Sequence, residues 1–266
     1  MKTTSTSLKL ITVVMFLMLG SLSTGMAQNS KPNKIKPTIV LVHGAWADGS
    51  SWNKVIPILE KNGYHTVAVQ NPLTSLEDDV AAVNRILKEV QGDVILVGHS
   101  WAGVVITEAG IDPKVKSLVY IAAYAPDLGQ SIESIHKDGF EVKKYPKSPV
   151  TENDRVVSDG FIRLKDATVL NYFAQDIPRP EAELIAVGQG RFHVSTLSAK
   201  VSNLAWKNKP SFYVVADHDK IIPPQIEADM AEHIGAKTYH VLASHVAMLA
   251  KPQKVAEVIL EAASAN

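Results

Sequence analysis

The 266-residue chain contains no cysteine. That excludes disulfide staples and thiolate metal sites. It also lacks a charge bias, with 27 Lys plus Arg against 27 Asp plus Glu. No basic stripe or tail is present, so nucleic acid is not an expected partner. Repeats and low-complexity tracts are absent. The N-terminal apolar run Leu10–Leu19 is too short to span a bilayer comfortably. What remains is a chain in which 46% of residues are hydrophobic, the composition of a globular protein that can bury a substantial core.

The first 27 residues read as a targeting segment. Lys2 and Lys9 precede the apolar run, and the small-residue exit Gly25-Met26-Ala27 follows it. A basic start, a short apolar region and small residues at the cleavage positions describe a secretory signal peptide. Cleavage after Ala27 would leave 25 basic against 27 acidic residues. The expectation is an exported protein, periplasmic or secreted, with no stable membrane insertion. Residues 28–36 are a polar, Lys- and Pro-containing linker.

Beyond the linker, short apolar runs alternate with amphipathic stretches. Strands are expected at Thr38–Val42, Thr66–Val69, Val94–Val97, Val115–Ala122, Ser211–Val215 and Thr238–Leu242. Helices are expected at Ser51–Lys61, Ser75–Val90, Trp101–Gly110, Pro224–His233 and Pro252–Ala263. In the second of these, Asp78 and Asp79 sit at the positive end of the helix dipole. Strands apolar on both faces, with helices between, predict an α/β fold whose mostly parallel sheet carries helices on both faces. Residues 37–125 and 206–266 form that core. The intervening 126–205 breaks the rhythm with more Pro, Asp and Lys and short helical patterns at Asp166–Ala174 and Pro180–Val187. A structureless loop of that size is rare, so it reads as a small, partly helical cap insertion over the C-terminal sheet edge.

The chemistry is concentrated where strands end. Val94-Ile95-Leu96-Val97 runs into Gly98-His99-Ser100-Trp101-Ala102-Gly103. A sharp strand-to-helix turn of this kind exposes a serine hydroxyl, and small neighbours let the two backbones approach. The fifth position, more usually Gly, is Ala102, with Gly103 just behind it. Ser100 is the candidate nucleophile. His43-Gly44-Ala45-Trp46 follows the first strand, where a loop N–H completes an oxyanion hole with that of the residue after the nucleophile. Those donors are Ala45 and Trp101; His43 orders the loop. Ala216-Asp217-His218-Asp219 follows the next-to-last strand, and both aspartates could orient a histidine. Asp219, further out, is preferred, with Asp217 as a loop-capping or supporting group. A metal reading of Asp217, His218 and Asp219 is poor, because adjacent side chains diverge and no companion ligands appear. Ser244-His245-Val246 follows the last strand and supplies the base, His245. His240, set in the strand, reads as a structural histidine, and His193 in the cap as a solvated one. Trp52 and Tyr120 read as core. Trp101 could present part of its ring to the pocket, and Gly44 and Tyr124 are further pocket candidates. The order Ser100, Asp219, His245 is that of an α/β-hydrolase.

Val42-His43-Gly44-Ala45-Trp46 with Trp52, Gly98-His99-Ser100, Asp219-Lys220 and Ser244-His245-Val246 together resemble the plant methylesterase and hydroxynitrile lyase group and its bacterial esterase relatives. Ala122-Ala123-Tyr124-Ala125-Pro126-Asp127 resembles the sheet-to-cap junction of the bacterial members. The resemblance covers nearly all of the chain after residue 27. It implies a core sheet under a small lid, no cofactor and no metal. The lyases it resembles carry a threonine where this chain has Gly44 and a lysine where it has Val246, so cyanide-releasing activity is disfavoured. The expected function is a serine hydrolase cleaving small or medium carboxylic esters through an acyl-enzyme. A lactonase or amidase with the same triad, and a weakly catalytic small-molecule-binding protein on the same fold, are the alternatives.

Overall fold

The computed structural model describes residues 36–265. The expected signal segment and all but the last residue of the linker lie outside the described residues. Six strands form one sheet in the order β2-β1-β3-β4-β8-β9. They are β1 Thr38–Val42, β2 Thr66–Val69, β3 Val94–His99, β4 Val115–Ile121, β8 Ser211–Ala216 and β9 Lys237–Val241. Every pairing among them is parallel. Each residue of β1, β3 and β8 is buried, which requires cover on both faces of the sheet. Helix Ile56–Lys61 packs with the C-terminal helix Pro252–Ser264, and helix Leu76–Glu89 packs with helix Ala102–Ala109. Trp52 and Tyr120 are core residues, as expected. Tyr120 stacks on Tyr213 and hydrogen bonds to Thr107.

One helix boundary and the setting of one histidine differ from the sequence expectation for physical reasons. The helix expected from Ser51 is a 3₁₀ turn, Gly49–Trp52, followed by an α-helix that begins only at Ile56. Pro57 sits in the first turn of that helix, where its missing N–H costs nothing. The last strand is a sheet edge, so His240 is exposed rather than embedded and pairs with Asp217 at 2.8 Å.

The segment between β4 and β8 holds helices Ile132–Lys137 and Arg179–Gly188 and a short turn at Asp166–Thr168 that widens over Val169–Phe173. It also holds an antiparallel sheet that the hydrophobic pattern did not suggest: β5 Arg155–Ser158, β6 Phe161–Leu164 and β7 Phe192–His193. The β5–β6 hairpin turns on Asp159-Gly160, both at positive φ (49° and 79°). Asp-Gly between two short strands is the residue pair a two-residue hairpin favours.

The sheet order reverses beside β1 and β3, and ligand sites of open parallel sheets form outside the strand C-termini at such a point. Ser100 sits there with φ of 54°, a left-handed conformation for a residue with a Cβ. The turn is tight on both sides. A Cβ on Gly98 would lie 2.7 Å from the Ala102 carbonyl oxygen, and one on Gly103 would lie 2.0 Å from that of Tyr124. Neither obstacle is a flexible side chain. Replacing Gly103 by Ala is therefore expected to cost about 3 kcal/mol of stability by overpacking. Urea unfolding measures it; an unchanged midpoint would show that the helix can shift away from Tyr124.

Candidate active site

Three strand ends and their loops bring together the residues singled out above. Ser100 is fixed by its neighbours: its N–H donates to the Ile121 carbonyl, and its own carbonyl accepts from Gly103 and Tyr124 N–H. His245 Nε2 lies 2.8 Å from Ser100 Oγ, and His245 Nδ1 lies 2.5 Å from Asp219 Oδ2. The His245 and Asp219 side chains are shut off from solvent. The other Asp219 oxygen accepts the N–H groups of Ile221 and Ile222, at 2.6 and 3.0 Å. Of the two candidate aspartates, Asp219 therefore faces His245, while Asp217 faces the surface and His240.

Ala45 and Trp101 line the same cavity as Ser100. Among the described residues, neither backbone N–H donates to a protein acceptor. The loops that carry them are tied together underneath. His43 Nδ1–H donates to the Gly44 carbonyl and His43 Nε2 accepts from Asn71 N–H. The Asn71 amide donates to the His43 carbonyl and to Asp79 Oδ2, both at 3.3 Å. Asp79 also accepts the Trp101 indole N–H at 2.7 Å and the Leu73 N–H at 2.7 Å. Asp79 is thus more than a partner for the helix dipole: it is fully buried and anchors the residue after Ser100. Burial raises its pKa, against the pull of these donors. Its spacing with Leu76, Val83 and Leu87 puts it on the apolar face of its helix, a signal already present in the sequence.

His99 supports the site from the other side. Its Nε2–H donates to the His245 carbonyl at 2.9 Å, and the rings are 4.8 Å apart. Burial, and then the nearness of His245, hold its pKa well below the ordinary imidazole range, so it stays neutral. Asp176, from the segment between β4 and β8, accepts the Ser244 N–H at 2.6 Å and pins the loop that carries His245. Glu227 lies fully buried behind β8 and accepts the Ala216 N–H. Burial, followed by the charge of Asp219, pushes its pKa far above the carboxylate range, so it is an uncharged acid. Sequence reasoning passed over His99 as a structural participant and Asp176 and Glu227 altogether, because nothing local marks them.

The cavity above Ser100 measures about 530 Å³. Trp46, Trp101 and Phe192 supply an aromatic wall, with Trp46 and Trp101 both edge-on to Phe192. Trp46 also donates its indole N–H to the Ile162 carbonyl, fastening the catalytic-side loop to β6. Tyr124 lines the cavity as expected, its hydroxyl 2.8 Å from His136 Nε2. Burial, and then the charge of Arg155, lower the His136 pKa to about 4, so this pair is neutral near pH 7. Gly44, expected in the pocket, does not line it. It lies behind the elbow, where a Cβ would come 2.8 Å from Ser100 Cβ and 2.9 Å from His99 Nδ1. His193 is half-buried, bonded to Ser195 and edge-on to Phe161.

A family model described as the alpha/beta hydrolase family matches residues 39–258. The chain is 28% identical over 250 residues to a pyrethroid hydrolase of Sphingobium wenxiniae, covering 85% of this chain and 88% of that one. It is 26% identical over 265 residues to salicylic acid-binding protein 2 of Nicotiana tabacum, covering 84% and 96%. Among solved structures, polyneuridine aldehyde esterase superposes with a TM-score of 0.72 at 20% identity, covering 85% of this chain and 98% of that one. At that identity the superposition speaks for the fold alone. With the six-stranded parallel sheet and a match spanning most of its length, this chain belongs to the alpha/beta hydrolase family.

Proposed function

We propose that this protein is a serine hydrolase that cleaves small or medium carboxylic esters through an acyl-enzyme. The observation that carries the reading is the buried chain Ser100 Oγ, His245, Asp219, opening on a cavity that also presents two free N–H groups. Ser100 Oγ attacks the ester carbonyl as its proton passes to His245 Nε2. Asp219 accepts the Nδ1–H, holds the ring in that tautomer and stabilises the imidazolium. The charge forming on the carbonyl oxygen meets the N–H groups of Ala45 and Trp101, which are already oriented before the reaction begins. His245 returns the proton to the departing alcohol. A water molecule then gives its proton to Nε2 and attacks the acyl-enzyme, and release of the acid restores Ser100. Relatives named as hydrolases and esterases support an ester as substrate.

The proposed setting is outside the cytoplasm, supported by the basic start, short apolar run and small-residue exit of residues 1–27. Among the described residues, no helix is long and apolar enough to cross a membrane.

Hydrolysis of a chain-length series of nitrophenyl esters and of several lactones tests the chemistry. Ser100→Ala is expected to lower kcat by around 10,000-fold or more, and Ser100→Ala combined with His245→Ala little further, since the residues act as a unit. Full turnover by the serine variant would exclude the mechanism; tight ligand binding without turnover by the native protein would make it a binding protein instead. Asp79→Asn sets an amide against the Trp101 indole N–H and the Leu73 N–H, which both need acceptors. It should cost about 1–3 kcal/mol of stability and roughly tenfold in kcat, through a displaced Trp101 N–H. A stability loss with kcat intact would restrict Asp79 to folding. For export, N-terminal sequencing of protein recovered outside the cytoplasm should begin at Gln28; a start at Met1 there would refute cleavage.

A further inference from the structure

Arg155 lines the cavity above Ser100, and among the described residues no carboxylate pairs with it. Its Nε is sealed from solvent and has no hydrogen-bond partner. Among the described residues, the guanidinium forms no ion pair and no hydrogen bond. Arg163, half-buried like Arg155, pairs with Asp166, and the exposed Arg179 pairs with Glu183. Burying a guanidinium donor unanswered is costly, because water is lost and no acceptor replaces it. The carboxylates that share the cavity, Glu133 and Glu152, are exposed, and neither comes within ion-pairing distance of Arg155. Lys147, also exposed, adds a second positive charge to the lining.

The surroundings of Arg155 are arranged to keep that charge available. Its field bears on Tyr124 and on His136, and His136 stays neutral. The Tyr124–His136 pair therefore neither competes for an anion as a cation nor neutralises the arginine. Arg155 is held at the start of β5, where its backbone N–H closes the turn Glu152–Asp154 and its strand pairs with β6. Because β6 is bonded to Trp46, the arginine is presented by an element fastened to the loop beside Ser100. A planar fork of donors in a cavity that also has an aromatic wall matches an oxyanion that can accept two hydrogen bonds at once.

We infer that the natural substrate is an ester bearing a free carboxylate in addition to its scissile bond, and that Arg155 binds that carboxylate while Ser100 attacks the ester. This rests on the serine-hydrolase reading above. Arg155 is accordingly a specificity-determining residue. It selects substrates by charge, while the aromatic wall of Trp46, Trp101 and Phe192 takes the apolar body.

Matched pairs of nitrophenyl esters test this. Mono-4-nitrophenyl adipate, suberate and sebacate place the carboxylate on the acyl chain, and each is compared with its primary-amide counterpart. A 3-carboxy-4-nitrophenyl butyrate, compared with its carboxamide, places it on the leaving group. The amides keep an acceptor oxygen and the shape but not the charge. At least one pair should favour the carboxylate in kcat/KM by on the order of 10- to 100-fold. Arg155→Met should bring that ratio to within about threefold of one, and Arg155→Lys should retain part of it. Calorimetry on Ser100→Ala, with monomethyl suberate against dimethyl suberate, reads the anion site without turnover. Equal kcat/KM within every pair, or a preference that survives in Arg155→Met, overturns the proposal. If no ester is turned over, the serine-hydrolase reading fails, and the calorimetric preference still decides whether Arg155 holds a carboxylate.

Discussion

The close approach of β3 to the helix that follows it governs most of what this molecule can do. Ser100 turns the chain in a left-handed conformation that costs about 1–2 kcal/mol for a residue with a Cβ. Backbone bonds to Ile121, Gly103 and Tyr124 hold it there. Because Gly98 lies against Ala102 and Gly103 against Tyr124, the helix begins directly beneath the serine, with Trp101 at its start lining the cavity. Gly44 completes the fit by allowing the β1 loop to lie against Ser100 and His99. The placement of Ser100, of Trp101 and of the loop that carries Ala45 thus follows from a single packing constraint.

Around that turn the protein buries several ionisable groups, and it meets the cost of burial differently for each. Asp219 stays paired, with His245 on one oxygen and two backbone N–H groups on the other. Asp79 has no cation but collects three donors, and becomes the joint between the loops of residues 43–46 and 100–102. Glu227 gives up its charge to burial beside Asp219, and His99 does the same beside His245. Each solution leaves the hydrogen-bonding requirement mostly met while limiting the free charge near Ser100. Arg155 stands apart from this pattern, because it is only half-buried yet its Nε is sealed from solvent with no hydrogen-bond partner.

The segment between β4 and β8 does more than line the cavity. It supplies Asp176 to the loop of His245, an acceptor in β6 for Trp46, and Tyr124, His136 and Arg155 to the cavity lining. The lining of the cavity and part of the orientation of His245 therefore depend on residues remote in sequence from the strand-end motifs.

The parallel core and the candidate residues at its strand ends could be read from the chain alone. Those features are local: apolar runs mark β1, β3 and β8, and a strand followed by Gly98-His99-Ser100 marks the elbow. Asp159-Gly160 announced a hairpin as clearly, but its strands are too short for periodicity to stand out. Other choices were made only in three dimensions. Asp219 rather than Asp217 faces His245, because the turn after β8 directs one carboxylate inward and the other toward the edge strand. His240 is exposed because β9 is the last strand, and strand order depends on packing between distant segments. Asp79, Asp176, Glu227 and Arg155 acquire their roles from partners up to dozens of residues away, and only the folded chain brings those partners within hydrogen-bonding distance or, for Arg155, keeps them out of it.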